Sequence, residues 1–251
     1  PSINYGNLRK YPLKWFTLKS LRYATVLIPA SKALVEYSYT YQNHDYSKQG
    51  YKYFDPKNNT PYNIISNGVS LQKFRPIAGV TRKKSFITVC TNLDNRNYRL
   101  KGIDLYLKAA TIFPEYDFLI IGKTLPGFKI EVTSNVKHIE FVSNDELPAI
   151  LSSCTYYCQL SLSEGFGVAL IEAMACGCIP LVSKVGILDY IIGESGFVLE
   201  RHDESLMIKV IEKALKSDVQ ALSAAARQRI VDEYSDERRR VELLGLINSL
   251  V

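Results

Sequence analysis

From residue 85 onward the chain alternates short apolar runs with helical patterns, and this alternation restricts the fold more than any other feature. The runs with strand character are 86–90, 116–121, 136–142, 156–160 and 179–183. Helical patterns lie between them at 101–113, 145–152 and 168–176. Ser143 or Asn144 stands where the second helix needs a cap, and Gly177 stands where the third must end. Short strands that each feed a helix predict an α/β fold with a doubly wound parallel sheet. Ligands of such sheets bind beyond the carboxyl ends of the strands.

One stretch sits where that rule points. After the run 156–160 come Ser163-Glu164-Gly165-Phe166-Gly167-Val168-Ala169-Leu170-Ile171-Glu172-Ala173-Met174-Ala175-Cys176-Gly177. Glycines in a turn let backbone N–H groups approach a ligand closely, and a helix start adds unpaired N–H groups and a positive dipole end. The combination suits an anion, commonly phosphate. Glu164 and Glu172, if both helical, stand ~12 Å apart along the axis at ~1.5 Å per residue. A glycosidase acid/base pair needs roughly 5–9.5 Å. The spacing therefore favours contacts to two parts of a long ligand, such as a nucleotide sugar with its pyrophosphate at the helix start. An ordinary strand–turn–helix with one solvated glutamate and one N-terminal helix charge accounts for the same residues.

The run SEGFGVALIEAMACGCIPLVS resembles the donor-site motif of the retaining family 4 glycosyltransferases, enzymes of two-domain GT-B fold. The resemblance implies a Rossmann-like donor-binding domain in which Glu164 is catalytic, touching the transferred sugar beside its anomeric carbon. It implies that Glu172 binds the ribose hydroxyls and that the backbone of Gly165, Phe166, Gly167 and Val168 meets the diphosphate and sugar. Lys101, followed by Gly102, matches the family's phosphate-contacting lysine. The family's arginine, commonly in a Gly-Arg-Leu group, is absent where this chain has Cys90-Thr91-Asn92-Leu93. Arg99 is the expected replacement, and Arg96 the second choice. The nucleobase is expected against Phe141-Val142-Ser143 and the backbone near Gly122-Lys123.

The same resemblance divides the chain. Residues 1–75 are expected to be a remnant of the N-terminal acceptor domain with its linker, 76–234 the nucleotide-sugar domain, and 235–251 a crossover helix. Within the first part, 14–22 reads as helix, 25–29 as strand, 31–39 as helix and 41–62 as an exposed loop, before the Asn67-Gly68 turn. His44, His138 and His202 do not match the family's N-domain histidine, and a further domain's worth of sequence, ~100 residues, is expected upstream of Pro1. Toward the other end, 203–217 and 219–234 read as surface helices. Ser235 caps a last helix whose Leu243, Leu246, Ile247 and Leu250 share an apolar face. That face suits crossing onto the N-terminal domain, self-association or a partner chain.

Composition narrows the function classes. A net charge of +6 suits phosphorylated ligands or peripheral contact with an anionic membrane. The Lys/Arg runs are short and lack zinc-finger spacing, so nucleic acid is not expected as a partner. Five cysteines without paired metal-type spacing predict reduced, buried thiols and a cytoplasmic setting, which includes the inner face of the membrane. No metal cluster is evident, so no metal and no cofactor is expected beyond the nucleoside-diphosphate sugar itself. The resemblance implies transfer of a hexose to a hydroxyl acceptor (sugar, lipid-linked glycan or protein) with retention, in cell-surface polysaccharide or glycoconjugate synthesis. A non-catalytic donor-binding module and a nucleotide-sugar epimerase are the alternatives.

Overall fold

The computed structural model describes residues 10–38, 41 and 48–250. The N-terminal unit comprises α1 (Leu13–Tyr23), α2 (Lys32–Val35), β1 (Tyr37–Ser38), β2 (Lys48–Gln49) and α3 (Tyr51–Phe54). The α/β unit follows as β3 (Lys83–Leu93), α4 (Asn95–Leu100), α5 (Ile103–Ile112), β4 (Asp117–Thr124), β5 (Val136–Ile139), α6 (Leu147–Ser153) and β6 (Cys154–Gln159). It continues with α7 (Val168–Ala175), β7 (Ile179–Ser183), α8 (Leu188–Ile192), β8 (Phe197–Leu199), α9 (Glu204–Leu215), α10 (Val219–Glu233) and α11 (Asp236–Ser249).

Strands β3 to β8 form a six-stranded sheet in the order β5-β4-β3-β6-β7-β8. Every pairing in it is parallel. The doubly wound α/β fold expected from the alternation is therefore present. All residues of β6 and β7 are buried, as strands covered by helices on both faces must be. On one face the ring of Phe86 stacks between Phe118 and Tyr156, with centroids 4.8 and 4.9 Å away. The buried phenols keep partners: Tyr106 Oη donates to Leu119 O (3.0 Å) and Tyr156 Oη to Ala214 O (3.0 Å). On the other face Arg82 staples the end of α7 to α10, donating to Cys176 O (2.9 Å), Gly177 O and Ser223 Oγ (2.8 Å).

Several expectations need correction. The helix expected over 101–113 is α5, which begins at Ile103 past Gly102, and a further short helix, α4, precedes it at Asn95–Leu100. Asp94 nucleates α4 by accepting from the N–H groups of Arg96 (2.9 Å) and Asn97 (2.6 Å). Ser143 rather than Asn144 receives the N–H of Glu146 (3.2 Å) before α6. Strand β8 and helix α8 carry only three and five residues, too few for a periodic signal. The expected helix 31–39 stops at Val35 and turns into β1, which pairs antiparallel with β2. The stretch 41–62 is not simply an exposed loop, because Tyr41, Gln49, Tyr51 and Asn58 are buried. Residues 25–29 contribute one parallel bridge, Leu27 to Tyr62, rather than a full strand. Helices α9 and α10 each bury one side, through Met207, Ile211 and Ala214 and through Ala226 and Ile230.

All five cysteines are free and buried. Among the described residues no helix is long and apolar enough to cross a membrane. Ser235 caps α11 by accepting from Arg238 N (3.2 Å), and Arg239 donates to Ser66 O (2.7 Å) and Asn67 Oδ1 (2.8 Å), tying α11 to the residues before Val69. No residue of α11 is buried, and Val241, Leu244 and Ile247 stand about half exposed.

Gly102 decides how α4 meets α5. Its φ is +69°, and a Cβ there would lie 2.1 Å from the carbonyl oxygen of Leu160 at the end of β6. Gly102→Ala should therefore cost about 3 kcal/mol or more, from left-handed strain plus displacement of packed backbone. Urea denaturation followed by circular dichroism checks this, and a loss below about 1 kcal/mol would contradict the wedge described.

Candidate active site

The winding of the sheet reverses between β3 and β6, and the crossovers that leave these two strands run in opposite directions. A crevice opens at that point, beyond the carboxyl ends. Two loops meet there. Leu162 N donates to Leu100 O (2.8 Å), and Gly102 lies flat against Leu160. The contact carries Lys101 across to the next loop, where its Nζ donates to Glu164 Oε2 (2.9 Å). Gln159 Nε2 donates to the same oxygen (2.9 Å), and Gly165 N reaches Oε1 (3.3 Å). Glu164 is largely buried, its side chain 14% exposed, while Lys101 remains 32% exposed. An anionic carboxylate thus sits in a crevice with an ammonium whose remaining hydrogens are open to a ligand.

The turn after Glu164 offers backbone. The ring of Phe166 is buried, edge-on to Tyr234 with centroids 5.9 Å apart. Gly167 has φ +102° and precedes α7, and a Cβ there would meet Leu188 Cδ2 at 2.8 Å. No side chain caps α7, and its first residue, Val168, is exposed. The N–H groups and dipole of the helix start are therefore left for an anion.

Glu172 lies one turn further along α7, half-buried. Burial pushes its carboxyl up to about 7, against the opposing pull of Lys73, whose Nζ is bonded to Asp145 (2.6 Å). The structure thus gathers Lys101, Glu164 and the turn 165–168 into one crevice, with Glu172 on the helix that the turn begins. Arg99 and Arg96 lie exposed on α4, and the cation that reaches Glu164 is Lys101. Phe141 is 80% exposed beyond β5, and Gly122 O is already engaged by His138 Nε2 (2.7 Å). His202 pairs with Asp104, and His44 lies outside the described residues. Among the described residues no group of three or more side chains is arranged to hold a metal ion.

Sequence reasoning missed the residues that steady the loop. Gln159 carries no motif signal, yet its amide binds Glu164. Ser31 Oγ donates to Gly165 O (2.6 Å) and Gln49 Nε2 to Ser163 Oγ (3.0 Å), so the N-terminal unit grips the loop from behind. Gly186 lies against Glu164 O, where a Cβ would approach to 2.2 Å. A cavity of about 1310 Å³ lies on that side, lined by Ser31, Tyr37, Gln49, Tyr53, Asp189 and Tyr190 among others. Glu164, Lys101 and Glu172 do not line it.

The raised Glu172 carboxyl makes stability pH-dependent. The native state holds this proton more tightly than the unfolded chain, so the stabilisation is complete below about 4.5 and is lost as pH rises to about 7. Glu172→Gln should accordingly leave stability nearly unchanged at pH 4 and raise it by about 1–2 kcal/mol at pH 8, allowing for part exposure. Chemical denaturation at the two pH values reads the difference; an equal effect at both would refute it.

A family model described as "Glycosyl transferases group 1" matches residues 79–231, more than half of the chain. An uncharacterized glycosyltransferase of Methanocaldococcus jannaschii is 32% identical over 121 residues, 45% of this chain and 34% of that protein. The chain spans about a third of the length of the first curated relatives it matches. Among solved structures, a sucrose-phosphate synthase from Thermosynechococcus elongatus superposes with a TM-score of 0.78 at 19% identity, covering 99% of this chain and 64% of that one. Anabaena HepE, solved in complex with UDP and glucose, gives a TM-score of 0.71 at 15% identity over 94% of this chain and 66% of that one. At these identities the two structures bear on the fold alone.

Proposed function

The chain belongs to the group 1 glycosyl transferases, and within that family we propose that it is the donor-binding part of a retaining, family 4 hexosyltransferase using a nucleoside-diphosphate sugar. The observation that carries this reading is the meeting of Lys101, Glu164 and the uncapped start of α7 at the point where the sheet reverses. A diphosphate fits the helix start, with Lys101 beside it, and Arg99 supplies further positive charge from α4. These groups and the turn 165–168 amides stabilise the departing diphosphate without a metal or cofactor. Glu164 accepts a hydrogen bond from a sugar hydroxyl, holding the anomeric carbon toward the acceptor. Glu172 accepts from the ribose hydroxyls, which favours its ionised form.

The reaction so read breaks the bond from the anomeric carbon to the diphosphate and forms one to an acceptor hydroxyl. The hydroxyl proton leaves with the diphosphate, and the configuration is kept. The acceptor is a hydroxyl on a sugar, a lipid-linked glycan or a protein in cell-surface polysaccharide or glycoconjugate synthesis. A second reading, a donor-binding module completed by an acceptor lobe on another chain, draws on the half-exposed apolar residues of α11.

Titration calorimetry with UDP, GDP, ADP and dTDP tests the shared core of both. At least one should bind, and Lys101→Ala or Glu172→Ala should weaken it roughly tenfold or more. Absence of binding by all four, or indifference to both substitutions, would sink the reading. Sugar transfer by the chain alone would dismiss the module.

A further inference from the structure

One pair of largely buried, ionisable side chains has no part in the site as described. Asp104 lies in the first turn of α5, three residues after Lys101. Its Oδ2 meets His202 Nε2 at 2.9 Å, and His202 belongs to the loop between β8 and α9. The His202 side chain is 8% exposed, and Asp104 24%. Asp104 Oδ1 and His202 Nδ1 are both buried and meet no hydrogen-bond partner among the described residues. The ring of Tyr41 stands edge-on to His202, with centroids 6.4 Å apart. A polar pair buried with half its hydrogen-bonding capacity unused costs stability relative to an apolar pair, so its place in the fold calls for another role.

Its position supplies one. Lys101 stands between two helices, and its direction depends on both. Asp94 holds the start of α4, whereas α5 begins at Gly102 with no side-chain cap. On one side Gly102 is wedged against Leu160. On the other, α5 is tied to the loop before α9 by Asp104–His202 and, one turn later, to the first residue of α9 by the exposed pair Lys108–Glu204 (2.6 Å). The first tie acts within a turn of Lys101; the second sits further down the helix.

We propose that Asp104 and His202 are positioning residues for Lys101, fixing the start of α5 so that the Lys101 ammonium is aimed at Glu164 and at the ligand's phosphates. This rests on the donor-site reading above and adds two residues to it. His202 thereby gains a role at a distance, through the helix, and touches no reacting atom.

A double-mutant cycle on the full chain tests it, with the tightest-binding member of UDP, GDP, ADP and dTDP as the probe. Asp104→Ala should weaken binding roughly fivefold to tenfold, and the same change in a Lys101→Ala background should have almost no effect. Lys108→Ala should leave affinity unchanged. His202→Ala should match Asp104→Ala, and His202→Gln, which can still donate to Asp104, should restore most of the affinity. If Asp104→Ala unfolds the chain by circular dichroism, the two His202 variants decide. Equal losses in both backgrounds, or no loss in either Asp104 or His202 variants while Lys101→Ala weakens binding, would overturn the positioning role and leave the site standing. Indifference of binding to Lys101→Ala would overturn the site itself, and this role with it.

Discussion

The contact between the two loops at the centre of the sheet's carboxyl edge governs how the rest of the site is arranged. Strands β3 and β6 lie side by side but send their crossovers in opposite directions, so the chain ends that leave them are free to approach each other. Leu162 N to Leu100 O closes that approach, and Gly102 fits only because it lacks a Cβ opposite Leu160 O. Lys101 and Glu164, sixty-three residues apart, form an ion pair as a consequence. A side chain at position 102 would push the loops apart and separate the charges, whatever the strength of their attraction.

Within this frame the two glutamates of one motif have different environments. Glu164 is largely buried but receives an ammonium, an amide and a backbone N–H, the compensation a buried carboxylate requires. Glu172 is half-buried with the distant Lys73 opposing its desolvation, and its carboxyl is pushed up to about 7. The difference between the two carboxyls is thus one of surroundings: Glu164 has a bonded cation and Glu172 has burial as its dominant influence.

Supports from outside the motif complete the arrangement. Ser31 and Gln49 of the N-terminal unit hold the loop's Gly165 and Ser163, and Arg82 holds the carbonyls at the end of α7. These are hydrogen bonds between residues far apart in the chain, made by residue types common on any surface. Nothing in their local sequence distinguishes them from solvated side chains.

The strand–helix alternation after residue 85 was legible because burial on both faces demands apolar strands and the period of a helix marks what lies between. The strand 179–183 and the cap at Ser235 followed directly. The turn 163–168 was legible because glycines at a strand–helix junction have few other uses. Short elements such as β8 were not, since three residues carry no period, and the buried tyrosines of 41–62 were not, since tyrosine suits both surface and core. The sequence by itself determined the sheet, the helix start that can receive an anion, and the residue types around it. Only the tertiary structure decided that Lys101 meets Glu164, that Gln159 shares that carboxylate, and that His202 lies against Asp104. Those pairings depend on the winding of the sheet and on loops packed by long-range contact, and local preference contains neither.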